Sequence, residues 1–203
     1  MHVDFSIPEG HFEGYIFDCD GTLADTMPLH YQAWRKTLDE NGGQDLFPLE
    51  QFYSMGGVAP VDILAALNRD HQLTLDIHKI AADKEVAFMH SLETVDPIEN
   101  VVQFARDAAK NHPVSVVSGG LKPVVIRTLE ILELADLFHS VITPQDAERG
   151  KPHPDMFLLA AEKMSVAPGK CLVFEDGPSG MDGARAAGME VVYIASHPDE
   201  LSE

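Results

Sequence analysis

Residues 17–26 read FDCDGTLADT and place Asp18, Asp20 and Asp25 within eight positions, directly behind the apolar run Tyr15-Ile16-Phe17. Two carboxylates about 4 Å apart repel by roughly 4 kcal/mol even at an effective dielectric near 20. A chain tolerates such crowding in a solvated turn, or around a cation. Other polar groups also follow apolar runs: Ser118-Gly119-Gly120 behind VSVV, and Glu175-Asp176-Gly177 behind CLVF. Lys151-Pro152-His153-Pro154 begins eight residues after SVIT. Asp18, Asp20, Glu175 and Asp176 are hard oxygen donors that suit Mg2+ better than zinc, and no Cys or His cluster competes for a softer metal. Ser118, the Gly119 amide and the Lys151 ammonium have the chemistry to hold phosphate oxygens. A cation there would let a carboxylate approach a phosphate dianion. One aspartate then serves as covalent nucleophile and a second as acid/base for the leaving oxygen.

Each feature also has a plain structural reading. D-x-D-G is commonly a turn in which Gly21 supplies unusual backbone angles. Ser118-Gly119-Gly120 fits a strand-ending loop, and Lys151 fits a surface charge ahead of a helix start where Pro154 sits comfortably. Glu175-Asp176 fits a helix N-terminus, which favours acids. Their joint occurrence, in order and behind successive apolar runs, favours chemistry.

The elements that must position these groups follow from hydrophobic patterning. Short apolar runs at 15–17, 114–118, 140–143, 171–174 and 191–194 predict strands. Helices are predicted over 27–41, 61–72, 75–92, 100–110, 123–134, 154–164 and 179–187. In the first, Leu29, Ala33, Trp34 and Leu38 recur at helical spacing and Gly42-Gly43 ends it. From Val114 onward strands alternate with helices and are almost continuously apolar, as in a parallel sheet covered on both faces. In open α/β sheets, ligands bind beyond the carboxyl ends of the strands, so the polar groups converge at one edge. The stretch from about 27 to 94 carries helices without strands and reads as an insertion.

Composition sets the class of partner. The 203 residues include 14 basic and 33 acidic side chains, a formal charge of -19, with 45% hydrophobic and 23% charged residues. That balance disfavours nucleic acid and anionic membrane surfaces. Cys19 and Cys171 lack a disulfide framework, so we expect reduced thiols, a cytoplasmic setting and no signal peptide.

Asp18-x-Asp20-Gly21-Thr22-Leu23, Ser118, Lys151-Pro152-x-Pro154 and Glu175-Asp176 resemble the four motifs of the haloacid dehalogenase-like hydrolase superfamily. VFEDGPSGMDGARAAGM at 173–189 resembles its β-phosphoglucomutase and sugar-phosphatase branch. The resemblance implies an α/β fold, a Rossmann-like parallel sheet core (1–26 and 95–203) with an inserted four-helix cap (27–94). It implies Asp18 as nucleophile and Asp20 as general acid/base with its main-chain carbonyl on Mg2+. Asp18, Asp20, Glu175 and Asp176 then form the metal site, with Ser118, Gly119 and Lys151 on the phosphate. Asp25 and Thr26 would sit at the cap hinge. His30, Trp34 and Gly57 fall where the branch places cap residues near substrate, although His30 equally fits an ordinary core position one turn before Trp34.

One departure bears on the reaction. The mutases carry a cap stretch Gly-x-Ser-Arg whose arginine grips the distal phosphate of a bisphosphate. Here the stretch reads Gly57-Val58-Ala59-Pro60, with neither serine nor arginine. Lys122, Arg127 and Arg69 are the cations that would have to replace it. The expectation is therefore a monomeric Mg2+-dependent phosphatase acting on a small sugar phosphate, fructose 1-phosphate-like or a hexose phosphate. A sugar phosphomutase is the alternative, and a non-catalytic binding protein is a third. A dehalogenase is disfavoured, because Asp20 and the metal acids would have no task on a halide.

Overall fold

A computed structural model describes residues 2–56 and 58–195. Five strands pair in parallel: β1 (Gly14–Phe17), β2 (Val114–Val117), β3 (Ser140–Ile142), β4 (Cys171–Glu175) and β5 (Glu190–Tyr193), in the order β3-β2-β1-β4-β5. β1 is central, so the crowded aspartates leave the middle of the sheet. The α-helices are α1 (Met27–Glu40), α2 (Leu49–Ser54), α3 (Pro60–His71), α4 (Ile77–Ser91), α5 (Glu99–Ala108), α6 (Lys122–Ile131), α7 (Asp155–Met164) and α8 (Pro178–Ala186).

Side chains alternate across the pleat. Phe17, Val114, Val116, Leu172 and Phe174 face one core with Val101 and Ala105 of α5 and Val125 and Leu129 of α6. Ile16, Val117, Cys171 and Val173 face the other, with Met156, Phe157 and Ala160 of α7 and Ala184 of α8. Both faces are covered, which accounts for the near-continuous apolar strands. Before β1, Val3 and Phe12 pack into the first of these cores, and Asn100 bonds the Val3 main chain through both its amide groups.

Four helices, α1 to α4, occupy the stretch between β1 and α5. They carry a core of their own that includes Trp34, Leu38, Phe47, Phe52, Leu64, Leu67 and Ile80. The chain leaves and re-enters the sheet layer along paired segments, with Asp25 N donating to Asp96 O at 2.9 Å and Ile98 N to Leu23 O at 2.9 Å. Phe88 and Leu92 of the helical stretch also pack on Val124 of α6.

The elements expected from sequence are present, with ends that move by three residues or fewer. α2 was absent from the periodicity reading. Its six residues, LEQFYS, begin after Pro48 and bury only Phe52, too short a run for a 3.6-residue period to register. No helix is long and apolar enough to cross a membrane among the described residues.

Candidate active site

The carboxyl ends of β1, β2 and β4 deliver the polar groups to one place. Asp18 continues β1, its N–H bonding Phe174 O of β4 at 2.9 Å. Ser118 continues β2, its N–H bonding Ile142 O of β3 at 3.0 Å, while its Oγ accepts from Gly120 N at 3.1 Å. Glu175 ends β4. Lys151, from the loop between β3 and α7, donates to Asp18 Oδ1 at 2.5 Å and to Glu175 Oε2 at 2.7 Å. Glu175 Oε1 accepts from Gly177 N at 3.1 Å, so both of its oxygens are engaged and its carboxylate is fixed.

Asp18, Glu175 and Asp176 each present a carboxylate oxygen within 4.8 Å of the others. Lys151 is the cation bonded into this group, so the cluster retains excess negative charge. Burial, then the neighbouring Glu175, raise the Asp18 pKa well above the aspartate range against the opposing pull of Lys151; Asp176 and Asp20 push the same way. Burial alone would lower the Lys151 pKa, but Asp18 and Glu175 carry it above its ordinary value. Gly21, at φ +83°, leaves open the space that the Asp176 carboxylate fills, and a Cβ there would overlap it. Hard donors, a charge excess and a close-built acid make a set that fits Mg2+.

The Asp20 carboxylate lies outside that cluster and turns toward the helical layer. Its Oδ1 accepts from Thr26 Oγ1 at 2.7 Å and lies 3.2 Å from His30 Nε2. Lys84 Nζ approaches His30 Nδ1 at 2.8 Å. An ammonium only donates, so Nδ1 accepts, the ring is neutral, and Nε2–H donates to Asp20. Burial, then Lys84, hold the His30 pKa below its usual value, in agreement with that tautomer. Burial by itself would raise Asp20, but His30, Thr26 and Lys84 outweigh it and bring its pKa down to about 2. Asp20 is thus an ionised acceptor poised beside Asp18.

The two groups of acids open on one cavity of about 540 Å³, lined on the sheet side by Asp18, Asp20, Ser118, Gly119, Glu175 and Asp176. His30 and Trp34 line its helical side, His30 stacked on Phe88 at 3.6 Å between ring centroids. Gly57 lies outside the described residues; Val58, Ala59 and Pro60 beside it line the cavity. Arg69, Lys122 and Arg127 do not, and each is paired with an acid: Asp70, Asp146, and Glu93 with Glu130.

Lys84 and Glu85 were missed in the sequence. ADKEVAF resembles the solvated face of a helix, yet Lys84 shares a helical face with Ile80, Ala81 and Phe88, all buried. A lysine on an apolar stripe was the available signal.

A family model described as haloacid dehalogenase-like hydrolase matches residues 12–188. The chain belongs to that family. Among curated relatives of this hydrolase, the fructose-1-phosphate phosphatase YqaB of Escherichia coli (strain K12) is 35% identical over 184 residues, covering 90% of this chain and 96% of that one. The beta-phosphoglucomutase of Bacillus subtilis (strain 168) is 26% identical over 199 residues, covering 88% and 81%. The crystal structure of beta-phosphoglucomutase from Clostridium difficile superposes with a TM-score of 0.78 at 24% identity, over 89% of this chain and 83% of that one. That likeness speaks to the fold, a Rossmann-like α/β core.

Proposed function

We propose that this hydrolase is a Mg2+-dependent phosphatase that removes phosphate from a small sugar phosphate, fructose 1-phosphate-like or a hexose phosphate, with Asp18 carrying the phosphoryl group. The observation that carries the reading is the placement of Asp18 and Asp20 on one cavity, with Lys151 on the first and a hydrogen-bonded chain on the second. The relative named for fructose 1-phosphate supports the substrate class.

Asp18 Oδ attacks phosphorus, and the bond to the sugar oxygen breaks. Asp20, ionised in the resting site, takes up a proton from solvent as the substrate dianion binds. It gives that proton to the sugar oxygen, then takes one from the water that cleaves the acyl phosphate, returning Asp18 to a carboxylate. A carboxylate with a pKa of about 2 is first a base. A phosphate dianion brought beside it raises its proton affinity, which prepares the acid role. Thr26 and His30 hold the Asp20 carboxylate in position. Ser118 and the Gly119 amide, with Lys151, bind the transferring oxygens. Asp18, Asp176 and the main chain of Asp20, with Glu175 beside them, would hold Mg2+, which when bound supplies charge neutralisation. We read α1 to α4 as a cap over the sheet edge, hinged at 24–26 and 95–98.

The cavity offers little to a second phosphate: Val58, Ala59 and Pro60 line it, and they make up the stretch that by resemblance to the mutases would carry the gripping arginine. Losing a charge-assisted contact forfeits about 1.5–3 kcal/mol. Water should therefore take the phosphoryl group before a second sugar hydroxyl does. A panel of sugar phosphates should release inorganic phosphate with Mg2+, lose activity in chelator, and regain it on Mg2+ addition; Ca2+ should inhibit by demanding more ligands at longer bonds. Undiminished turnover in excess chelator would remove the metal from the reaction. Phosphorus NMR on β-glucose 1-phosphate with catalytic bisphosphate decides the alternative: glucose 6-phosphate growing faster than free phosphate makes the protein a mutase.

A further inference from the structure

The helical side of the cavity is apolar over Met27, Trp34, Phe52, Met55, Val58 and Ile63, and its charged groups are Lys84 and Glu85. The Lys84 ammonium is spent inside the wall. It bonds His30 Nδ1 at 2.8 Å and Glu85 Oε1 at 3.0 Å, and its side chain is 4% exposed. Glu85, at 18%, is the more open of the two. Its second oxygen, Oε2, has no hydrogen-bond partner among the described residues. Glu85 and Lys84 both line the cavity, so an incoming leaving group meets a carboxylate beside a compensated lysine.

We infer that Glu85 is a specificity residue, accepting hydrogen bonds from the hydroxyls of a neutral sugar and turning away leaving groups that carry a second anion. The inference rests on the phosphatase reading above. It sharpens the substrate class to monophosphates of neutral polyols and sugars. A carboxylate accepts from hydroxyls and cannot donate to a phosphate or carboxylate. Replacing it by an amide removes the repulsion and leaves the Lys84 ammonium without its countercharge, so the same change should admit anions.

The test compares kcat/KM, with Mg2+ present, for fructose 1-phosphate and glucose 6-phosphate against 6-phosphogluconate and fructose 1,6-bisphosphate, with p-nitrophenyl phosphate as a leaving group without sugar hydroxyls. Wild type should favour the neutral sugars by about tenfold or more. Glu85→Gln should shift that preference toward the anionic substrates by roughly ten- to a hundredfold, the range expected for one unit charge at close approach. Glu85→Ala should raise KM for fructose 1-phosphate relative to that for p-nitrophenyl phosphate. Glu85→Asp, which keeps the charge, should continue to exclude anions. Melting temperatures near wild type would show that these are effects on the site. An unchanged preference in Glu85→Gln, or a wild type that prefers anionic substrates, overturns the role of Glu85 while leaving the phosphatase reading intact. Failure to release phosphate from p-nitrophenyl phosphate and every sugar phosphate overturns both.

Discussion

Asp18 sits in its folded environment at an electrostatic cost, and that cost has a pH signature. Its pKa is raised by burial and by Glu175, Asp176 and Asp20, against Lys151. A group with a raised folded pKa contributes stability that is fully present below the ordinary aspartate value and is lost as pH rises through the folded one. Metal-free protein should lose that share on the way to neutrality. Asp18→Asn carries no such loss and can still accept from Lys151. Its melting temperature should therefore exceed wild type by about 2–4 °C at neutral pH, roughly 1 kcal/mol, with the gap closing toward pH 4. Added Mg2+ should narrow it by stabilising wild type. Turnover by Asp18→Asn should fall below a few per cent. Calorimetry across pH with a phosphate-release assay checks both; a gap that widens on acidification, or substantial residual turnover, would contradict the assignment. Asp20 behaves oppositely. Its pKa of about 2 gives stability that is present above the ordinary value and is lost as pH falls toward 2.

Among the elements, the first turn of α8 shows how closely the helices are fitted to the acids. Gly180 is buried against Glu175, and a Cβ on it would overlap that carboxylate. Alanine is the better helix former by about 1 kcal/mol, so propensity alone predicts a more stable protein. Glu175 cannot step aside cheaply, because Lys151 and Gly177 N hold its two oxygens. Gly180→Ala should therefore displace Glu175, and Lys151 with it, lowering kcat by about a hundredfold or more and leaving the protein less stable by about 1–3 kcal/mol. Kinetics and denaturant melts on the single variant would show it. Wild-type kcat with a gain in stability would mean that the acid relaxes freely. α4 shows the complementary case, in which one face supplies Phe88 to the core and Lys84 to the chain leading to Asp20.

Over the whole molecule, a formal charge of -19 repels the anionic substrate proposed for it. The local cations act only at short range, so encounter takes place against the global field. Salt shortens that field's reach from about 30 Å at 0.01 M to about 8 Å at 0.15 M. With free Mg2+ fixed, kcat/KM for a sugar monophosphate should rise by about two- to fivefold across this range. Stopped-flow or steady-state rates in an inert salt series would measure it. A fall would show that the local cations Lys151 and Lys84 dominate the approach.

The strand ends and the residues placed behind them were legible from the chain alone. A parallel strand buried on both faces must be apolar throughout, and its polar successor marks where the backbone leaves the sheet. Asp18 and Ser118 follow their strands directly and Glu175 is the last residue of its own, one place further into the sheet than the apolar run CLVF implies. The tertiary structure decided which groups face one another from different elements. His30 lies 10 residues from Asp20 and 54 from Lys84, and nothing in the period of α1 or α4 states that these three meet. Helical spacing assigns a residue to a face but leaves open what covers that face, so a core histidine and a site histidine read alike until α4 is packed against α1. The same limit hid Glu85, whose carboxylate looks like surface charge in the sequence and becomes part of a cavity wall only when the helical layer stands over the sheet edge.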